Sequence, residues 1–155
     1  MKQKTWRIVK AKYAASAFSG EGAAKVGGRW NSRGQWVVYT SGSLSLAALE
    51  MLVHLNPPVS FRWVAMSCDF DENLVERIKI APLPKTWRQY PAPGSIRAIG
   101  DAWLKEARSA VLAVPSVIVP REWNYLLNPA HPDFGRLAIG EPEPFAFDER
   151  LPGVA

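Results

Sequence analysis

Apolar and polar positions along this chain change period several times, and the changes divide it into short elements. Residues 5–9, "TWRIV", read as a first strand. The small-residue run "YAASAFSGEGA" after it is too glycine-rich at its end for a long helix. Residues 35–40 read as a strand because Val37, Val38 and Tyr39 are strong β formers. "SGSLSLAALEMLVHLNPP" predicts a helix, with Ser41 or Ser43 able to cap its start and the pair Pro57 and Pro58 stopping it. Residues 62–68 read as a further strand. From Ile80 to Gly100 the prolines predict an irregular excursion over the surface. Asp101 suits the N-cap of a helix covering "AWLKEARSAVL", and "PSVIVP" reads as a short proline-bounded strand. "EWNYLLNPAHPDFGRLAIG" predicts a strand, a turn and a strand, and "PFAFDERL", alternating Phe145 and Phe147, a last one. There is no internal repeat. Many short strands with two or three helices make the expected fold α+β.

Composition narrows the setting. The 155 residues fit one domain with a real core, and 48% hydrophobic with 21% charged is ordinary for a folded protein. No window carries the run of apolar residues that a membrane span requires, and the basic N-terminus lacks a signal-peptide apolar stretch. A lone Cys68 suits a reducing compartment, so a cytoplasmic location is expected, with no membrane association. The net charge of +5 favours an anionic ligand or partner, but the charges are scattered rather than striped. Trp6, Trp36, Trp63 and Trp103 lie in apolar surroundings, where core packing is the better reading than base stacking.

Polar residues in apolar places are the candidates for chemistry. The helix over 44–55 has almost no polar face and is expected to be buried nearly all round, yet it carries Glu50 and His54 on one side. A carboxylate there costs several kcal/mol unless paired or facing a cavity. Two readings stay open: a salt bridge to an arginine such as Arg29, or a catalytic role. His54 is open between packing and function. In "GGRWN", Gly27 and Gly28 allow close backbone approach, and Arg29 presents a fork suited to phosphate or carboxylate oxygens. No Walker lysine follows. Ser116 lacks a nucleophile elbow, and Asn124 and Asn128 read as turn formers. His54, His131 and Cys68 make no metal-ligand cluster, so no metal is expected.

"GEGAAKVGGRWNSRGQWVVYTSGSLSLAALEMLVHL", "RAIGDAWL", "VPSVIVPREWNYLLNPAHPDF" and "PFAFDERL" resemble, in order, successive blocks of the RES-domain family. The resemblance covers about residues 6–151, and the expected organisation is a single domain over 1–155. The arginine, glutamate and serine that name the family would be Arg29, Glu50 and Ser116 here.

The resemblance implies an ADP-ribosyltransferase-like fold, with short strands in two small sheets and a few helices. It implies a toxin of a bacterial type II toxin–antitoxin pair that breaks the nicotinamide–ribose bond of NAD by hydrolysis or phosphorolysis. A protein ADP-ribosyltransferase is the alternative, and an RNA-binding or ribonuclease toxin a more distant one. NAD would be consumed as substrate with no cofactor. Glu50 would stabilise the oxocarbenium-like ribose, Arg29 grip the diphosphate beside Gly28, and Tyr39 stack on nicotinamide. Ser116 would hydrogen-bond the nicotinamide amide or the ribose, and Arg7 add a phosphate contact. The implied partner is an Xre-type helix-turn-helix antitoxin in a hetero-oligomer, with no nucleic acid bound by the toxin alone.

Overall fold

Strand alternation, turn glycines and one cross-sheet helix set the architecture. The computed structural model describes residues 1–54 and 62–151. Strands β1 (Lys2–Lys10), β2 (Val38–Ser41), β3 (Trp63–Asp71), β4 (Val75–Arg77), β5 (Val111–Pro115), β6 (Trp123–Leu127), β7 (Ala138–Ile139) and β8 (Glu143–Phe145) build an eight-stranded sheet. Its order is β4-β5-β6-β2-β1-β3-β7, with β8 also on β3. The two small sheets expected from the resemblance are thus one continuous sheet. Among the described strands, only β4 and β5 run parallel. The helices are α1 (Glu21–Val26), α2 (Leu44–Leu52) and α3 (Gly94–Glu106).

Pairing is uneven across the sheet. β1 and β3 match over nine residues, Lys2 with Asp71 through Lys10 with Trp63, whereas β1 meets β2 at one registered pair, Trp6 with Ser41. The sheet therefore opens between β1 and β2. One face of β2, β5 and β6 packs Val38, Val111, Ala113, Tyr125 and Leu127 with Val9, Cys68 and Phe70. Cys68 has no exposed surface, and its carbonyl accepts the Thr5 hydroxyl at 2.9 Å. The other face packs Val37, Leu112, Val114 and Leu126 against Ile96 and Trp103 of α3 and against Trp30. A third cluster sets Ala47 of α2 on Ile8, Trp63 and Ala65, with Phe145 and Phe147 closing it. The Trp63 and Phe147 rings meet edge to face at 5.6 Å.

Several expectations shift for physical reasons. The predicted helix over 102–112 with Asp101 as its cap is instead α3, starting eight residues earlier behind Pro93 and ending at Ala107 in the left-handed region, φ 49°. Asp101 lies inside it and binds the loop after α1. Val111 to Val114 are wholly buried between the two faces, so they form a central strand rather than a helical turn. The strand expected over 115–120 is absent beyond Pro115, because the chain curls at Ser116 as described below. The strand expected over 35–40 is shifted to β2, and Trp36 is half exposed rather than in the core. Ser43, not Ser41, caps α2, its hydroxyl accepting from Leu46 N at 3.1 Å. α2 is not buried all round either: Leu49 is 42% and Val53 59% exposed. The expected stop at Pro57 and Pro58, and Leu55 with it, lie outside the described residues. No described helix is long and apolar enough to cross a membrane.

Candidate active site

A cleft of about 1190 Å³ lies where β1 and β2 part, roofed by α2, the loop after α1 and the excursion before α3. Arg7, Gly28, Arg29, Tyr39, Glu50 and His54, expected from sequence, all line it. Ser116 does not reach it, having no exposed surface, but touches it through Glu50.

Glu50 stands on the inner side of α2, one turn beyond Ala47, which packs on β1. Its Oε1 accepts two hydrogen bonds, from the Ser116 hydroxyl at 2.7 Å and from Asn124 Nδ2 at 2.8 Å. The Ser116 oxygen itself accepts from the backbone N–H groups of Ile118 and Val119, both at 3.1 Å. That curl fixes the hydroxyl so that its one proton points to Glu50. The carboxylate is thus held from the protein side by one oxygen, in a residue that borders the cleft.

Arg29 follows the turn Gly27–Gly28, where Gly27 has φ +73°. Gly28 lacks a side chain for an internal reason: a Cβ there would stand 2.7 Å from the Tyr39 hydroxyl and 2.8 Å from Asn31 Oδ1. Tyr39 donates to Asn31 Oδ1 at 2.6 Å and accepts from Trp30 N at 3.1 Å, and burial pushes its phenol up. The hydroxyl is therefore spent on holding the arginine loop. Asn31, fully buried, ties the same loop to the carbonyls of Ala23, Ser32 and Gln35. Asp101 of α3 accepts Ser32 N at 2.8 Å and the Ser32 hydroxyl at 2.5 Å. The sequence left Asn31 unassigned and read Asp101 as a helix cap; the asparagine directly behind "GGRW" was the available signal.

The salt bridge that the sequence left open is not the arrangement found. Arg29 Nη1 donates to the carbonyls of Trp87 and Gln89, at 3.0 and 2.9 Å, while Glu50 is held by Ser116 and Asn124. Desolvation lowers the Arg29 pKa, and the negative charge of Glu50 opposes that shift. Arg7 sits in the opening of the sheet, donating from Nη1 to the Tyr39 carbonyl at 3.1 Å, with its Nε buried and without a hydrogen-bond partner among the described residues. Burial brings its pKa down to about 10, still charged at neutral pH. Arg88 and Arg97 add further cations to the cleft wall. His54 is exposed at the far end of α2, on the rim. Among the described residues no group of three or more His, Cys, Asp or Glu is placed to hold a metal.

A carboxylate fixed beside a cationic cleft is the arrangement that the resemblance predicted, and residues 4–148 match the RES domain. The chain belongs to the RES domain family. Two curated relatives bear the name Toxin Res. That of Yersinia enterocolitica is 39% identical over 148 residues, covering 94% of this chain and 97% of its own; that of Photorhabdus laumondii is 40% identical over 131 residues, 83% of each. The Prs ADP-ribosylating toxin of Sphingobium sp. is 39% identical over 153 residues, covering 94% of both chains. Among solved structures, the M. tuberculosis MbcT–MbcA toxin–antitoxin complex contains a chain of the same fold. It superposes with a TM-score of 0.73 at 17% identity, over 94% of this RES domain and 85% of that chain. The fold is α+β and ADP-ribosyltransferase-like.

Proposed function

We propose that this RES domain is the toxin of a toxin–antitoxin pair and depletes NAD by breaking the nicotinamide–ribose bond. The observation that carries the reading is Glu50: one carboxylate oxygen is pinned by Ser116 and Asn124, beside a cleft lined by Arg7 and Arg29. The cations would take the diphosphate, and the Tyr39 ring, its hydroxyl already engaged, would offer a face to nicotinamide. As the C1′–N bond breaks, its electron pair neutralises the pyridinium and the ribose becomes oxocarbenium-like. Glu50 stabilises that charge, and water or phosphate attacks C1′ and loses a proton. Ser116 acts through Glu50 in this scheme rather than on the substrate. NAD is the substrate, and no further cofactor is invoked.

Purified protein, freed of any partner, is expected to release nicotinamide from NAD. Glu50→Gln is expected to lower kcat about 100-fold or more with a small change in KM. Release that is equal in wild type and variant would refute the reading. Protein ADP-ribosylation is a second reading, favoured by the name of the Sphingobium relative. Labelled NAD would then mark a protein instead of yielding free ADP-ribose or its phosphate. The partner proposed is an Xre-type helix-turn-helix antitoxin whose C-terminal segment covers the cleft, drawn by the net charge of +5. A toxin–antitoxin complex as structural neighbour supports a partner of that role.

A further inference from the structure

Asn124 reads from sequence as a turn former, yet it occupies the middle of the site. It lies on β6, where it registers with Ser41 at the end of β2 and with Val114 of β5. Directly opposed residues of antiparallel strands project to the same face, so Ser41, Asn124 and Val114 stand side by side under Glu50. Val114 is wholly buried and offers no polar atom, so the Asn124 amide finds its partners to either side. The Ser41 hydroxyl donates to Asn124 Oδ1 at 2.7 Å, and Asn124 Nδ2 donates to Glu50 Oε1 at 2.8 Å.

We infer that Asn124, braced by Ser41, is a positioning residue that holds the Glu50 carboxylate and selects its working oxygen. The assignment rests on the proposed role of Glu50. An asparagine amide has two flip states, and only one serves here. With Oδ1 engaged by Ser41, the N–H must face Glu50; the reverse flip would set amide oxygen against carboxylate oxygen. The acceptor-only Glu50 oxygen makes the choice, and Ser41, 5% exposed and registered with both Trp6 and Asn124, supplies the hydroxyl that then donates to Oδ1. Two donors then converge on Oε1, one from Asn124 and one from Ser116, and Oε2 is the oxygen left for the ribose. Other charged or titratable groups lining the cleft are Arg7 on β1, Tyr39 on β2, Arg29 and Arg33 in the loop after α1, His54, and Arg88, Tyr90 and Arg97. None of them is altered by changing Asn124.

The test uses Asn124→Leu, which keeps the branched shape and removes the donor, Asn124→Asp, which sets a second carboxylate against Glu50, and Ser41→Ala. Nicotinamide release is followed across pH, and the Glu50 carboxyl is titrated by carbon-13 NMR in protein labelled at glutamate. Asn124→Leu is expected to lower kcat at least tenfold with KM within about threefold. Asn124→Asp is expected to move the acid limb of kcat, and the NMR midpoint of Glu50 with it, up by about one pH unit. Ser41→Ala is expected to give a smaller loss in the same direction, and its fold is checked by its melting curve should Asn124→Asp not fold. An unmoved Glu50 midpoint in Asn124→Asp together with a kcat within twofold in Asn124→Leu overturns the assignment. Wild-type protein that releases no nicotinamide overturns the NAD reading instead, while the NMR midpoint still decides the contact between Asn124 and Glu50.

Discussion

Arg7 shows how one residue can join a structural cost to a binding task. Its Nε has no hydrogen-bond partner among the described residues, and burial holds its pKa at about 10, below the ordinary guanidinium range. Protonation thus opposes folding: without ligand, stability rises as pH climbs through about 10, where the folded form loses its proton first. An anion in the cleft reverses the balance, because it needs the charge. Pyrophosphate at neutral pH is therefore expected to raise Tm in scanning calorimetry, and the gain is expected to fade as pH passes about 10. Arg7→Met should give a smaller gain at neutral pH, and a gain equal to that of the wild type would remove Arg7 from anion binding. At this scale the sequence was partly legible. Arg29 and Glu50 stood out because each is a charge in an improbable place. Asn124 and Asn31 did not, since an asparagine beside a strand or a glycine pair has a ready explanation as a turn. What distinguished Asn124 was the apolar run Tyr125, Leu126 and Leu127 that it introduces.

Among the elements, α3 is where local signals misled. Asp101 resembles a cap and Ala110 to Leu112 resemble the end of a helix, but the first is engaged by Ser32 and the second leads into the sheet. Tertiary contacts decided both, and such contacts connect positions that are remote in sequence. The same helix carries a tight constraint. A Cβ at Gly100 would stand 1.7 Å from the Trp30 carbonyl oxygen, so the helix axis rests on the backbone of the arginine loop. Gly100→Ala must push that loop away, at a cost of about 3 kcal/mol. The expected drop in Tm is about 8 °C. Arg29 moves with the loop, so KM for NAD is expected to rise in the same variant. An unchanged Tm would mean that α3 and the loop are free to separate. α2 was better read, since its capping serine and its carboxylate were both visible. Its exposed Leu49 and Val53 were not, because hydrophobicity alone does not say which side meets the sheet.

For the whole molecule, sequence reading reached the α+β class directly and the ADP-ribosyltransferase-like fold by resemblance; strand pairing was beyond it. Nothing local in β1 says that it will hold β3 along its full length and touch β2 at one pair. That inequality makes the cleft, and it arises from where the loops return each strand. The closely paired side has its own use. Cys68 lies in its middle, between Thr5 of β1 and Ile139 of β7, without exposed surface. Desolvation, aided by the charge of Asp69, pushes its thiol up to about 12. As the chain has one cysteine, a thiol reagent can mark it at one place, and only while the core over that face, with Phe18 and Leu137, is open. The labelling rate is thus a clock for global opening, built into the protein. A ligand that binds only the folded form slows that clock by the ratio of bound to free protein. In Glu50→Gln protein, NAD at a hundred times its Kd is expected to slow labelling about 100-fold. Affinity for the dinucleotide is then measured in a protein that consumes it far more slowly.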